Sequence, residues 1–156
     1  MLNILLPELV LYGFRIVLAV LLGCLIGIER EKNDKPAGVR TTALVCLGAT
    51  MFTIINLIII GSSLLPNDRL DPSRIIAYMI VGIGFLGSGV IIRNKDKLEG
   101  ATTAICLWNA VAVGVLCGLQ KYVLAILITL IIYLVLKLKW IDKRVTKRKA
   151  KKRKLR

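Results

Sequence analysis

Two short polar stretches interrupt an otherwise apolar chain, and their residue types and spacing could support binding chemistry. The first, GIEREKNDKPAGVRTTAL, occupies residues 27–44, and the second, IIRNKDKLEGATTAI, occupies residues 91–105. Each runs from an apolar segment through charges and a glycine to a Thr-Thr pair and a new apolar segment. Threonine hydroxyls can cap the backbone N–H groups at a helix start. The threonines therefore predict capped turns between helices.

A polar pocket is the functional alternative, because two helix N-termini that meet would direct partial positive charge and N–H donors at one place. Arg93 would reinforce that charge, and the other expected members are Glu29, Arg40, Thr41, Thr102 and Thr103. Glu29 follows the first apolar segment and is expected to pair with Arg40 across the turn. The alternative for Glu29 and Arg30 is a belt of salt bridges at the membrane interface, which contributes little energy.

The residue types needed for hydrolytic or metal chemistry are absent or misplaced. The chain has no histidine, no G-x-S-x-G motif and no phosphate loop. The residues required for hydrolysis by a nucleophile or by a bound metal are therefore missing. All nine acidic residues lie in loops or at segment ends, which argues against a carboxylate relay through a membrane. We therefore expect a protein that is not an enzyme and needs no cofactor. Residues that would bind a metal ion cannot be named from the sequence, and a Mg²⁺ site could form only at a membrane edge, where the carboxylates lie.

The elements that must position these residues are membrane helices. Of 156 residues, 56% are hydrophobic, and the mean hydropathy is +0.75, both typical of a membrane protein. A helix needs roughly 20 residues to cross the hydrocarbon core. The predicted fold is therefore an all-α integral membrane protein with a transmembrane domain over residues 1–140, and its five spans lie near residues 9–28, 41–60, 74–92, 101–118 and 122–138.

The distribution of positive charge predicts the orientation. Basic residues are concentrated between spans one and two and between spans three and four, which places both loops in the cytoplasm. Twelve of the 23 Lys and Arg residues follow at positions 137–156, so residues 141–156 form a basic cytoplasmic tail and the N-terminus lies outside. The nearest partner for this tail is the anionic headgroups of the membrane rather than a nucleic acid.

An internal repeat relates the two polar stretches. Gly23 aligns with Gly87, and the Thr41-Thr42 pair aligns with the Thr102-Thr103 pair. Both units run from outside to inside and back, so they predict two parallel helical-hairpin repeats with the fifth helix added. Glycines expected at close helix contacts, within one chain or between copies in a homo-oligomer, are Gly23, Gly27, Gly84, Gly87, Gly89 and Gly114.

One arginine and two asparagines, Arg15, Asn56 and Asn109, lie inside predicted spans. Arg15 is near enough to the outer surface to extend its charge to water, yet it could also meet a neighbouring helix. Asn56 and Asn109 are expected to form hydrogen bonds between helices.

Four ordered motifs cover most of residues 15–118: RIVLAVLLGCLIGIERE, KPAGVRTTALVCLGA, DPSRIIAYMIVGIGFLGSGVIIR and GATTAICLW. In this order they resemble the MgtC/SapB family of bacterial inner-membrane proteins. The resemblance adds Arg30 and Trp108 to the candidate functional residues. Thr42 stands where family members often carry His, and Ser88 replaces their usual Ala. Larger members also carry a soluble C-terminal domain, where this chain has the basic tail.

The resemblance implies a membrane domain linked to growth under magnesium limitation and to survival inside host cells. It also implies, for some members, regulation of other membrane proteins such as the proton-driven ATP synthase. We therefore predict a bacterial plasma-membrane protein of stress adaptation that modulates another membrane complex and is not an enzyme. The alternative is a small transporter or channel for magnesium or another ion. Expected partners are lipids, a second copy of the chain and another membrane protein.

Overall fold

The computed structural model describes residues 2–61, 71, 73–94 and 97–138 of the chain. Within these residues, five α-helices and one antiparallel two-stranded hairpin follow each other. In chain order they are α1 (Leu2–Glu31), α2 (Val39–Gly61), α3 (Ser73–Gly89), β1 (Ile92–Asn94), β2 (Lys97–Glu99), α4 (Ala101–Gly118) and α5 (Tyr122–Lys137).

The helical class predicted from hydropathy is confirmed, with one addition. The second polar stretch forms a β-hairpin, in which Ile92–Asn94 (β1) pairs with Lys97–Glu99 (β2) before α4 begins. By length and composition, α1, α2 and α4 could cross a membrane, whereas α3 and α5, with 17 and 16 residues, are shorter apolar helices. The five-span count and the orientation stay predictions, and the basic tail at 141–156 lies outside the described residues.

Helix α4 occupies the centre of the bundle and contacts each of the other four helices. Its inward face is a row of small and medium apolar residues, Cys106, Ala110, Val113 and Cys117, which pack against α1, α2 and α5. Large apolar side chains point outward instead; Phe85 on α3 and Val123 on α5 are both 81% exposed. This inverted distribution suits a bundle surrounded by hydrocarbon, where an exposed apolar surface carries no penalty.

Glycines allow α2 to approach its neighbours closely on two sides. A Cβ atom on Gly23 of α1 would lie 2.8 Å from the Ala43 Cα of α2, and one on Gly118 of α4 would lie 2.5 Å from the Thr53 Cβ of α2. Both separations are shorter than any real Cβ contact. Two predicted packing residues, Gly27 on α1 and Gly114 on α4, lie against α2 in the same way, since a Cβ on either would overlap α2 atoms. Among the described glycines, those of α1 and α4 that lie this close to α2 are Gly23, Gly27, Gly114 and Gly118.

The predicted contact role does not extend to every glycine. A Cβ on Gly87 would make an ordinary 3.5 Å contact with Ala104, whereas Gly84 and Gly89 face open space. No described element approaches these last two, because α3 packs mainly on α4 and only lightly on α2.

Hydrogen bonds between helices reinforce the α2–α4 contact. The Thr50 hydroxyl of α2 lies 2.8 Å from the Gly114 carbonyl oxygen of α4 and 2.9 Å from the Cys46 carbonyl oxygen of its own helix. The Cys46 thiol donates to the Ala110 carbonyl oxygen at 3.2 Å. Because small residues bring the two backbones together, short side chains suffice to link them.

Equivalent contacts occur in the two halves that the repeat aligns. The Gly23–Ala43 contact joins α1 to α2, and the Gly87–Ala104 contact joins α3 to α4. Gly23 aligns with Gly87, and Ala43 aligns with Ala104. The same pair of small residues thus lies between both pairs of helices, while the symmetry axis of the repeat stays a prediction.

Helix α3 begins with a local cap. Asp71 Oδ1 accepts from the Ser73 hydroxyl at 2.7 Å and from the Ser73 backbone N–H at 2.9 Å. These bonds favour the ionised carboxylate, so they lower the pKa of Asp71 below its usual 3.8. Because the folded-state pKa is lowered, the cap is fully formed above the ordinary pKa and is lost as the pH falls through the lowered value.

Replacing Gly114 by alanine should destabilise the bundle, because the new methyl group would collide with the α2 backbone carbonyl of Cys46. Overpacking of this kind costs about 1–3 kcal/mol. Gly84→Ala is the matched control, since its methyl group enters open space. Denaturant titration of the two purified variants in mixed micelles, followed by circular dichroism, measures the difference. Equal stability of the two variants would contradict the proposed α2–α4 contact.

Candidate functional site

A buried ion pair lies in the last turn of α1. Glu29 and Arg30 are 7% and 2% exposed, and Glu29 Oε2 accepts from Arg30 Nε at 2.6 Å and also from Arg30 Nη2. Asn33 Nδ2 donates to Glu29 Oε1 at 2.8 Å, so both carboxylate oxygens are hydrogen-bonded. A buried charge pair needs such bonding to offset its loss of water. The pair is therefore a buried unit and not part of an exposed belt.

The predicted pairing of Glu29 with Arg40 is wrong. Arg40 is an exposed residue in the first turn of α2, and the cation bonded to Glu29 is its neighbour Arg30. The carboxylate that does reach across the turn is Glu31, whose Oε2 accepts from the Val39 backbone N–H at 2.9 Å. Glu31 therefore caps α2, because Val39 is the first residue of that helix and its N–H has no acceptor inside it.

The end of α1 brings Lys35 to the same side as Arg30. Asp34 lies in the left-handed backbone region with φ 51°. Its N–H donates to the Glu31 carbonyl oxygen, and the Lys35 N–H donates to the Arg30 carbonyl oxygen, which is the hydrogen-bond pattern of a Schellman motif. This turn satisfies the last carbonyls of α1, and both basic side chains then line one cavity.

The start of α4 depends on Gly100. This residue has φ 86°, and a Cβ there would overlap the Val90 carbonyl oxygen, so only glycine fits. The predicted capping by threonine is wrong at both helix starts. The Thr42 hydroxyl donates to the Gly38 carbonyl oxygen at 2.9 Å, and the Thr103 hydroxyl is buried without a hydrogen-bond partner.

A cavity of about 710 Å³ opens beside the start of α4. Three predicted pocket residues, Arg30, Thr102 and Thr103, line it together with Lys35 and Glu99. Its opposite wall is apolar and comes from the end of α5. The structure thus assembles part of the predicted pocket around the start of one helix.

The remaining pocket residues lie elsewhere. Thr41 lines an apolar groove between α2 and α3, Arg40 and Arg93 are exposed, and the Trp108 side chain is 50% exposed on α4. The two helix starts do not form a single pocket, because Thr41 faces α3 whereas Thr103 faces α1 and α5.

Sequence reasoning missed Asn33, Lys35 and Glu99. Lys35 precedes Pro36 and Glu99 precedes Gly100, so inspection of the charges beside the turn-forming residues would have found both. Asn33 lies four residues after Glu29, the spacing at which two side chains meet on a helix.

Arg15 is buried at the opposite end of α4. Its side chain is 4% exposed, and Nη1 donates to the Gly118 carbonyl oxygen at 3.2 Å. The guanidinium carbon also lies 5.1 Å from the centre of the Tyr12 ring. A cation here complements the negative end of the α4 dipole, so Arg15 joins α1 to the last turn of α4.

The two intramembrane asparagines differ in their surroundings. Asn56 is buried. Asn109 Nδ2 donates to the Ile105 carbonyl oxygen of its own helix at 3.0 Å, rather than to another helix as predicted.

Across the described ranges, no three His, Cys, Asp or Glu side chains lie close enough together to hold a metal ion.

Removing the carboxylate of Glu29 should strongly destabilise the protein, because Arg30 would remain as a buried, unpaired cation. We expect Glu29→Gln to lower the free energy of unfolding by about 3–5 kcal/mol. The double variant Glu29→Gln/Arg30→Gln should lose less than this, since it removes both charges. Glu8→Gln, an exposed position on the same helix, is the control and should change stability by about 0.5 kcal/mol or less.

Denaturant titration of these variants in micelles measures all three effects. Glu29→Gln as stable as Glu8→Gln would show that the ion pair is not held away from water.

Comparisons with known proteins agree with the resemblance seen in the motifs. Residues 16–144 match the model of the MgtC family. Protein MgtC of Salmonella typhimurium is 43% identical over 121 residues, which cover 78% of this chain and 49% of the relative. Protein MgtC of Brucella abortus is 43% identical over 100 residues, or 64% of this chain and 39% of the relative.

A longer alignment comes from an uncharacterized protein of Haemophilus influenzae, which is 33% identical over 153 residues, or 93% of this chain and 64% of the relative. No solved structure gives a significant match. The chain spans about half the length of the Salmonella protein. The family model nevertheless covers most of the sequence, and we conclude that this chain belongs to the MgtC family.

Proposed function

We propose that this membrane protein is not an enzyme and modulates another membrane complex under magnesium limitation or a related stress. The main supporting observation is that α2 and α4 pack in close contact at the centre of the bundle. Gly114 and Gly118 of α4 lie so close to α2 that a methyl group on either would overlap it. Such contacts leave no space for an ion path between these two helices.

Two buried threonines near the centre of the bundle use their hydroxyl protons to stabilise their own helices. The hydroxyls of Thr53 and Thr129 donate to the carbonyl oxygens four residues earlier, Ala49 and Ala125, both at 2.8 Å. Each hydroxyl is thus satisfied within its own helix.

Carboxylates, the usual protein ligands of Mg²⁺, are absent from all five predicted spans. Glu29, which follows the first span, has both of its oxygens engaged by Arg30 and Asn33. A single copy of the chain therefore offers no carboxylate path for magnesium, which favours modulation over transport.

A surface for a membrane partner is available on α3. Gly84 and Ser88 are exposed and lie four residues apart, on one face of the helix; nothing in the described part of the chain lies within 4 Å of a Cβ built on Gly84. Small residues allow another transmembrane helix to approach closely. This face supports contact with another membrane protein or with a second copy of the chain.

Reconstituted protein should not carry magnesium. We expect liposomes that contain the purified chain and a trapped magnesium indicator to admit Mg²⁺ no faster than protein-free liposomes, because α2 and α4 leave no space between them for an ion path. An ionophore added to the same liposomes provides the positive control, and circular dichroism verifies that the protein is folded. Flux above the protein-free background would make transport the activity and overturn the proposal.

Blocking the Gly84–Ser88 face of α3 should reduce function without unfolding the protein. We expect Gly84→Leu to reduce by about tenfold or more the low-magnesium growth of a bacterium whose own MgtC-family gene has been replaced by this one. The unfolding midpoint should stay unchanged, since the leucine side chain enters open space. Gly48→Leu is the control, because Gly48 of α2 also has open space around its Cβ position. Full growth with Gly84→Leu would exclude this face as the partner surface.

A further inference from the structure

The cavity beside the start of α4 has the chemistry of a phosphate-binding site. We propose that it binds a phosphoryl group, carried by a phospholipid or present as free phosphate, at the N-terminus of α4 between Arg30 and Lys35. This inference does not depend on which complex the protein modulates. It rests on the backbone at the helix start, on one unsatisfied hydroxyl and on the charges around the cavity.

The backbone at the start of α4 supplies donors. The first hydrogen bond back to Gly100 comes from the Ala104 N–H at 2.9 Å. The N–H groups of Ala101, Thr102 and Thr103 precede it and have no acceptor inside the helix. All three residues line the cavity. Donors of this kind, together with the positive end of the helix dipole, attract phosphate and similar anions.

The Thr103 hydroxyl is the independent observation that indicates a ligand. Thr103 is 1% exposed and lines the cavity, and its Oγ1 is buried without a hydrogen-bond partner. A buried polar atom in this state is costly unless something binds it.

Other buried threonines on the described helices show what is missing at Thr103. The hydroxyls of Thr42, Thr50, Thr53 and Thr129 each lie within hydrogen-bond distance of the carbonyl oxygen four residues earlier. Gly38 directly precedes α2, whereas the residue four before Thr103 is Glu99, which lies in strand β2, two residues before α4 begins and on the other side of the left-handed Gly100. The Thr103 hydroxyl does not make this bond, so it remains for a ligand.

The charges around the cavity favour an anion and restrict its type. Glu29 binds Nε and Nη2 of Arg30, which leaves Nη1 for a ligand, and Lys35 adds an ammonium group. Glu99 contributes an opposing carboxylate. We therefore expect Glu99 to weaken the binding of a bare anion and to tolerate a headgroup that also carries an amine.

The far wall of the cavity accounts for the two sources of phosphate. Val135, Leu136 and Leu138 at the end of α5 form an apolar surface facing the polar one. A phospholipid could place its phosphate at α4 and its apolar part along α5, whereas free phosphate would use the polar wall alone. The phosphoryl chemistry is the same in both cases, and only the contribution of α5 differs.

The test uses the full chain, purified and delipidated in detergent. Its thermal unfolding midpoint is measured with increasing inorganic phosphate, and separately with dioleoyl phosphatidylglycerol or dioleoyl phosphatidylethanolamine. Potassium chloride at matched ionic strength controls for screening. We expect at least one probe to raise the midpoint in a saturable way. A response only to lipid identifies the source as a membrane headgroup, and a response to phosphate identifies it as a free anion. No response to either probe overturns the proposal.

Variants locate the binding. Thr103→Val and Lys35→Gln should weaken the effective affinity by about tenfold or more, the scale expected for losing one hydrogen bond to a charged group. Glu99→Gln should strengthen the binding of phosphate, whereas a cation site would respond in the opposite direction. Thr129→Val and Lys32→Gln are the matched controls, because neither residue lines the cavity. Equal affinity in Thr103→Val and the wild type would overturn the proposal by placing the binding elsewhere.

Stability without ligand separates a binding role for Thr103 from a structural one. Valine matches threonine in shape and removes the unsatisfied hydroxyl, so the ligand-free midpoint of Thr103→Val should equal or exceed that of the wild type. A lower midpoint would mean that the hydroxyl has a partner within the protein, which contradicts the proposal. Growth of the same variants under low magnesium is measured separately, so failure of the binding test and failure of the modulation test can be told apart.

Discussion

The close approach of α2 to both α1 and α4 is the constraint on which the rest of the bundle depends. Glycines on α1 and α4 remove the side chains that would separate these backbones. In hydrocarbon, burying apolar surface gives no net drive to associate, so packing at this distance and hydrogen bonds such as that of Cys46 to Ala110 must hold the helices together. The same closeness leaves no space between α2 and α4 for an ion path.

With α1, α2 and α4 fixed in this way, their polar ends are fixed as well. The last turn of α1 carries the Glu29–Arg30 pair, and the turn that follows brings Lys35 beside the start of α4. At the other end of α4, Arg15 donates to the Gly118 carbonyl oxygen. Both ends of the central helix therefore face basic side chains of α1 or of the turn after it, but only the α4 N-terminus lines a cavity with an unsatisfied hydroxyl.

The helices were predictable because their signal is local. A long apolar run without charges gives a helix wherever it lies in the fold, and α4 covers the same residues, 101–118, as the predicted span. The hairpin of β1 and β2 was not predicted, because its strands are three residues each and carry little periodicity. The family could be recognised from ordered motifs alone, since these are read directly from the sequence.

The sequence by itself determined the helical class, the family and which residues could form a polar site. Only the tertiary structure decided which of them meet. The partner of Glu29 is its neighbour Arg30 and not Arg40, because the turn directs Arg40 outward. Thr41 and Thr103 stand at equivalent turns yet face different sides of the bundle. Such pairings depend on helix rotation and on contacts between distant residues, which local patterns in a sequence do not encode.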